Sequence, residues 1–143
     1  MPTMFTLPWR GTKAVRPERS VVFASRFDAK GFRPRWTLFV AGIRLRRAVL
    51  ASPGALGVSL RAHLIAGRFY TLSMWRDETS LLAFAHGRRH QAAVRGISEL
   101  GPVSGILISR EDDGTRPRWS DVLQWVASTE PGPYRMAPTR GLP

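Results

Sequence analysis

Two histidines, His86 and His90, are the residues of this sequence whose type and spacing are best suited to chemistry. In a continuous helix, residues four apart lie on the same side, one turn from each other, and this spacing can place two imidazoles on one metal ion. No carboxylate stands between them, and His63 is the one other imidazole in the sequence. We therefore expect no metal site and consider the two histidines as separate groups.

His90 has two roles that its residue type leaves open. An imidazole with an ordinary pKa of about 6.5 can serve as a general acid or base near neutral pH. The same side chain can be a hydrogen-bonded histidine of the core. Arg89, its neighbour, falls on the apolar arc of the predicted helix. Either this helix covers a polar cavity, where Arg89 would orient an anionic or enolate group, or the arginine extends to solvent at the edge.

A strand followed by a helix positions these residues. From Phe69 to Trp75 the side chains alternate between two faces, which is typical of a strand. Asp77 is a good helix N-cap, and apolar residues recur at helical spacing up to Leu100, which predicts one continuous helix. Because Trp75 ends the strand where the chain turns into the helix, it could line a cavity or fill the core.

The remaining elements define the fold class. Strands are predicted over 20–27, 55–66, 69–75 and 103–110, and helices over 34–51, 77–100 and 119–127. This order predicts an α+β fold, a ferredoxin-like split βαβ with an antiparallel four-stranded sheet, helices on one face and an extra C-terminal helix. The domain spans 20–127, between an irregular N-terminal arm over 1–19 and a flexible C-terminal tail over 128–143.

Both faces of the predicted central strands carry apolar residues, so the face without helices also needs a cover. A partner's sheet would supply it, which predicts a homodimer built as a dimeric α/β barrel.

The polar positions of these strands suggest a pocket. If the strands pair in register, one polar face beneath Arg89 and His90 would hold Ser59, Arg61, His63, Thr71 and Ser73. With Trp75 as a wall, this pocket would suit a flat apolar molecule bearing an anionic or ketone group, whose charge could pair with an arginine.

Composition narrows the function classes. The sequence has no cysteine, which excludes disulfides and thiolate chemistry, and no apolar run long enough for a transmembrane helix, so we expect a cytoplasmic protein with no membrane partner. The net charge is +12, and residues 1–76 hold fourteen basic against two acidic side chains. That excess indicates an acidic partner, an anionic ligand or a solvated arginine-rich face.

An RNA-binding domain is an alternative, because RNA-recognition motifs share this element order. The predicted third strand lacks their alternating aromatic residues, so we do not expect a nucleic acid partner.

The run from Leu72 to Phe84, with His90 six residues further on, resembles a known strand-to-helix signature. It is similar to that of the dimeric α/β-barrel, antibiotic-biosynthesis-monooxygenase-like superfamily, in the group similar to spheroidene monooxygenase. The similarity follows element order over about residues 20–110 and is specific over 70–95. Members include cofactor-free oxygenases of polycyclic aromatics and haem-binding or haem-degrading enzymes.

The resemblance implies a monooxygenase-type oxidoreductase that acts on an apolar, polycyclic aromatic or isoprenoid-like small molecule. His90 would be the catalytic acid or base or a haem ligand, with His86 nearby, and the cofactor would be haem or none. A non-catalytic dimeric protein that binds a small molecule or haem is the alternative.

Overall fold

One antiparallel sheet with helices on both faces organises the chain. The computed structural model describes residues 4–13, 18–28, 32–63, 65–98, 104–112, 115–128 and 132–133. The strands are β1 (Met4–Gly11), β2 (Ser20–Asp28), β3 (Ala55–His63), β4 (Arg68–Trp75), β5 (Ser104–Asp112) and β6 (Gly132–Pro133). The helices are α1 (Phe32–Leu50), α2 (Glu78–Ala85), α3 (Arg88–Ser98) and α4 (Trp119–Ala127). No helix in these ranges is long and apolar enough to cross a membrane.

The strand order across the sheet is β1-β3-β4-β2-β5-β6. Its central four strands, β3-β4-β2-β5, have the order of a split βαβ unit, in which the first strand lies between the last two. The predicted α+β, ferredoxin-like fold is confirmed.

The irregular arm expected over residues 1–19 is corrected in part, because β1 pairs antiparallel with β3 along the sheet edge. Phe5 lies opposite Ala62 and Leu7 opposite Leu60, and the register then shifts between Leu7 and Arg10. Pro8 lies in this irregularity, and an edge strand is where a residue without an N–H is tolerated. The shift breaks the alternation by which a strand is recognised in a sequence.

The two faces of the sheet carry different helices. One face, which we call the α1 face, holds Leu60, Phe23 and Trp75 beneath α1 and α2. The other, which we call the α4 face, holds Val22, Leu72 and Met74, and its core includes Val122 and Val126 of α4. The face that we expected a partner's sheet to cover is therefore packed against a helix of the same chain.

The predicted continuous helix over 77–100 is wrong, because a turn at His86 and Gly87 divides it into α2 and α3. Gly87 N donates to Phe84 O at 3.0 Å, and α3 begins with Gln91 N donating to Gly87 O at 3.0 Å. The start of the helix is as predicted, since Asp77 caps it by accepting from Ser80 N at 2.8 Å. Because the turn interrupts the helix, the residues before and after it do not follow one helical periodicity. A prediction of which residues share a helix face therefore does not hold across the turn.

The chain end departs from the expected flexible tail at Gly132–Pro133. These two residues pair with Ser104 and Gly105 at the start of β5. The predicted positions Leu64 and Leu100 lie outside the described residues.

Candidate functional site

An apolar slot lies between α1 and the α1 face of the sheet, with a cavity volume of about 60 Å³. Phe5 and Leu7 of β1, Leu38 and Phe39 of α1 and Leu60 of β3 are among its lining residues. The slot is narrow because its walls come close together at Gly42, where an added Cβ would lie 3.5 Å from Leu60 Cδ1. Pockets that enclose small molecules usually measure roughly 300–1,000 Å³, so a polycyclic ligand enters only if the lining side chains move.

A pair of hydroxyl groups provides the polar part of this slot. Thr71 lines it, and Thr71 Oγ1 is hydrogen-bonded to the hydroxyl of Ser25, which is 1% exposed. When Ser25 donates to Thr71 Oγ1, the O–H of Thr71 is free to donate to a ligand carbonyl or enolate oxygen in the slot.

Aromatic side chains cluster at the solvent side of the slot. Phe39 packs against Phe5 with ring centroids 5.7 Å apart and stacks on Trp36 at 5.9 Å. Phe5 and Trp36 are 44% and 62% exposed, which is high for such large apolar groups. Phe5 and Phe39 line the slot, whereas Trp36 lines the neighbouring groove between α1 and α3.

Trp75 and Ser73 lie on the α1 face but are not among the described residues that line the slot. Trp75 is 0% exposed, and its Nε1 donates to Ser73 Oγ at 2.9 Å. Its ring packs on Phe84 at 5.1 Å, and Phe84 packs on His90 at 5.3 Å. Trp75 thus fills the core, the second of its two expected roles.

His90 is partly buried at the start of α3, where its Nδ1 lies 2.9 Å from Ala85 O. Because a carbonyl can only accept, Nδ1 carries the proton and Nε2 keeps its lone pair in the neutral ring. Burial lowers the pKa of His90 below its ordinary value and outweighs the hydrogen bond with Ala85 O, which raises it, whereas the charge of His86 adds a smaller lowering. His86 itself is exposed. Among the described residues, no group of three His, Cys, Asp or Glu could hold a metal ion.

The predicted polar pocket beneath Arg89 and His90 is not formed, because the sheet divides its members. Leu60 lies opposite Thr71, which places Thr71 and Ser73 on the α1 face. Arg61 lies opposite Tyr70, so Ser59, Arg61 and His63 lie on the α4 face.

Each of these α4-face residues is engaged locally. Arg61 Nε donates to Thr6 Oγ1 at 3.2 Å, and its guanidinium lies 5.1 Å from the centre of the Trp119 ring. Nδ1 of His63 accepts from Ala66 N at 3.1 Å. Ser59 Oγ accepts from Trp119 Nε1 at 3.0 Å and donates to Leu7 O at 2.8 Å.

Arg89 is exposed, which is the second of the two positions considered for it. It lines two grooves on the outer side of the helices and not the slot. Sequence reasoning therefore missed the slot, whose clearest signal is Gly42, a residue unfavourable in the middle of a helix unless a neighbour must come close.

Haem does not fit the slot. A volume of about 60 Å³ is far too small, and His90 is not among the described lining residues. Nε2 of His90 has the chemistry of an iron ligand, but His90 lines a groove that is open to solvent and does not enclose a cofactor.

No family model matches the sequence, and no curated protein matches it. Solved structures do resemble the fold. A conserved protein from Bacteroides thetaiotaomicron, titled a possible oxidoreductase, has 15% identity and a TM-score of 0.59, with coverage of 67% of this chain and 100% of that one. A candidate antibiotic biosynthesis monooxygenase from Deinococcus radiodurans has 14% identity, a TM-score of 0.57 and coverage of 68% and 95%.

SnoaB, a cofactor-independent oxygenase from Streptomyces nogalater, has 13% identity and a TM-score of 0.53, with coverage of 68% of this chain and 95% of SnoaB. The predicted subgroup, similar to spheroidene monooxygenase, is not confirmed by these structures. The chain therefore shares the α+β fold of these solved structures.

Proposed function

We propose that this protein is a monooxygenase-type oxidoreductase that binds an apolar small molecule in the slot between α1 and the sheet. The observation that carries the proposal is the apolar slot itself, with the Ser25 and Thr71 hydroxyl pair as its polar group. The fold is that of SnoaB, which is a cofactor-independent oxygenase, and this supports the reaction class.

A cofactor-free reaction of this kind uses the substrate's own electrons. An activated CH₂ group loses one proton, the carbanion adds O₂ to form a hydroperoxide after reprotonation, and loss of water leaves a ketone. The net change is CH₂ + O₂ → C=O + H₂O, in which oxygen is reduced and carbon oxidised. The hydroxyl pair would hydrogen-bond the enolate oxygen that carries the carbanion charge, an interaction that favours the ionised substrate.

Proton removal restricts the substrate. The described residues lining the slot include no imidazole or carboxylate, and its ionisable residues Arg61 and Tyr70 direct their side chains toward Trp119 on the α4 face. A substrate that enolises readily, such as a polycyclic ketone, would need the least help. The same observation favours the alternative function, a small-molecule binding protein without turnover.

Substitutions that fill the slot test the proposal. In Gly42→Leu the new side chain would project toward Leu60 and occupy the slot, whereas Gly42→Ala adds only a Cβ at an ordinary 3.5 Å contact. With anthrone as the probe, we expect oxygen uptake and ketone formation by the wild type and Gly42→Ala, and their loss in Gly42→Leu. Anthrone binding without oxygen uptake would support the alternative function, a binding protein without turnover. Equal turnover by both variants would exclude the slot as the site of the reaction.

The roles proposed for His90 are tested separately. A His90→Ala variant that turns over anthrone at the wild-type rate would remove His90 from the mechanism. The haem-ligand role depends on the resemblance, and a hemin titration tests it. A Soret band that disappears in His90→Ala would support this role, and an unchanged spectrum would exclude it.

A further inference from the structure

A groove lined by arginines runs along the outer side of the helices and adjoins the slot at Ala41 and Leu45. Its first part, of about 640 Å³, lies between α1 and α3, and its second, of about 550 Å³, continues over α2. The two parts meet at Ala48 and Arg89, which line both. We call this feature the arginine groove, defined by Arg44, Arg47, Arg88 and Arg89.

The groove combines an apolar floor with charged rims. Trp36, Val40, Arg44 and Arg47 follow one another at helical spacing along α1, so they form a single stripe at its edge. Val40, Leu45 and Ala48 are partly or wholly buried beneath the rims, whereas the four arginines are exposed. Either part is large enough for a small molecule as it stands, whereas the slot admits one only if its lining side chains move.

The arginines of the groove lack carboxylate partners. In the described part of the chain, none of Arg44, Arg47, Arg88 and Arg89 forms an ion pair. Asp77 is the carboxylate that lines the groove, and it accepts from Ser80 N and pairs with Arg76 at 3.2 Å. Its engagement leaves the positive charge of the rims uncompensated by any other carboxylate of the described residues that line the groove.

Like charges gathered around a concave surface focus a positive potential that attracts anions. Guanidinium groups bind carboxylate and phosphate through paired N–H donors, and the apolar floor would bury a hydrocarbon body. From this combination we infer that the arginine groove binds an amphiphilic anion, a molecule with an apolar body and a carboxylate or phosphate group. This inference does not depend on the proposed function, because none of the four arginines lines the slot, which shares only Ala41 and Leu45 with the groove.

Binding of dodecyl phosphate, measured by isothermal titration calorimetry, tests the inference. Dodecanol, which has the hydrocarbon chain alone, and inorganic phosphate, which has the charged group alone, are the controls. We expect dodecyl phosphate to bind the wild type more tightly than either control, because only it uses both floor and rims. Substituting Arg47→Gln and Arg89→Gln together should weaken this binding roughly tenfold, since glutamine keeps a long polar side chain but removes the charge.

A matched variant controls for overall charge. Arg10→Gln with Arg118→Gln removes the same two charges from exposed positions of β1 and the α4 N-cap, outside the groove. We expect this variant to bind dodecyl phosphate within about twofold of the wild type. An equal loss in both double variants would overturn the inference, because it would show a general effect of net charge.

Two further measurements test whether the ligand binds in the groove and whether the groove selects this class of ligand. Gly42→Leu fills the slot and should leave dodecyl phosphate binding unchanged, and its loss in that variant would place the ligand in the slot and refute the groove. Preferential binding of poly(U), weakened by the Arg47 and Arg89 substitutions, would show that the groove takes a nucleic acid and would also refute the inference. Dodecanoate carries a carboxylate in place of the phosphate, and its binding should depend on Arg47 and Arg89 in the same way.

Discussion

Gly57 of β3 lies directly beneath the indole of Trp9, which packs across the strand. A Cβ at Gly57 would overlap Trp9 Cζ2, because the two carbons would be closer than non-bonded carbons can approach. Gly57 pairs with Gly11, and Trp9 belongs to the partly buried residues that pack on the α4-face core. The absence of a side chain at Gly57 is therefore what allows the N-terminal strand to close over that core.

Gly57→Ala should destabilise the fold by about 1–3 kcal/mol, because Trp9 must move away. Gly11→Ala is the matched control, since its Cβ would meet nothing closer than 3.7 Å. Urea unfolding followed by circular dichroism measures both. Equal stability of the two variants would mean that the Trp9 indole does not rest on Gly57.

Ser73→Ala should cost about 1–3 kcal/mol, because it leaves Trp75 Nε1 buried without an acceptor. A double-mutant cycle with Trp75→Phe isolates this hydrogen bond, since phenylalanine has no N–H to satisfy. We expect a smaller effect of Ser73→Ala in the Trp75→Phe background, measured as the free energy of unfolding in urea. The same cost in both backgrounds would assign the loss to packing.

The pH dependence of stability should report His90. Its pKa is lowered by burial from the ordinary 6.5, so the unfolded chain binds this proton more readily than the folded protein. The free energy of unfolding should therefore be fully retained above about pH 6.5 and fall as the pH decreases below that value.

His90→Gln should flatten this decrease, as judged by urea unfolding at several pH values. His86→Gln is the comparison and should change the decrease less, because His86 is exposed and its charge is the smallest of the causes that act on the pKa of His90. A wild-type curve that is flat below the ordinary histidine pKa would contradict the burial of His90.

The α4 helix bears on the predicted homodimer. Because Val122 and Val126 are 0% and 1% exposed on the α4 face, a sheet-to-sheet dimer can form only if α4 leaves. Val122→Asp with Val126→Asp should release α4 and raise self-association in sedimentation equilibrium, since an unpaired charge is costly in a core.

Gln124→Asp with Ala127→Asp introduces the same charges at exposed positions of α4 and should leave the association state unchanged. A wild-type dimer that persists equally in both double variants would show that the proposed homodimer uses another surface.

Local patterns in the sequence determined the elements of the fold core. The alternation of Tyr70, Leu72 and Met74 placed them on one face, and Asp77 marked the helix start, as the structure shows. The order of these elements then restricted the fold to a split βαβ, because few arrangements of that order bury both helices against one sheet.

Only the tertiary structure decided which faces meet. Arg61 and Thr71 were expected on one polar face, but Thr71 lies opposite Leu60, one residue away, and that single step moves the side chains to opposite sides of the sheet. Register depends on contacts between distant segments, which local periodicity does not contain. The same reason applies to β1, in which the irregularity at Pro8 interrupts the alternation that would predict its pairing. It applies also to α4, because its apolar stripe does not specify the surface that it covers. Sequence therefore determined which residues share an element, and long-range packing decided that the slot, His90 and Arg61 lie apart.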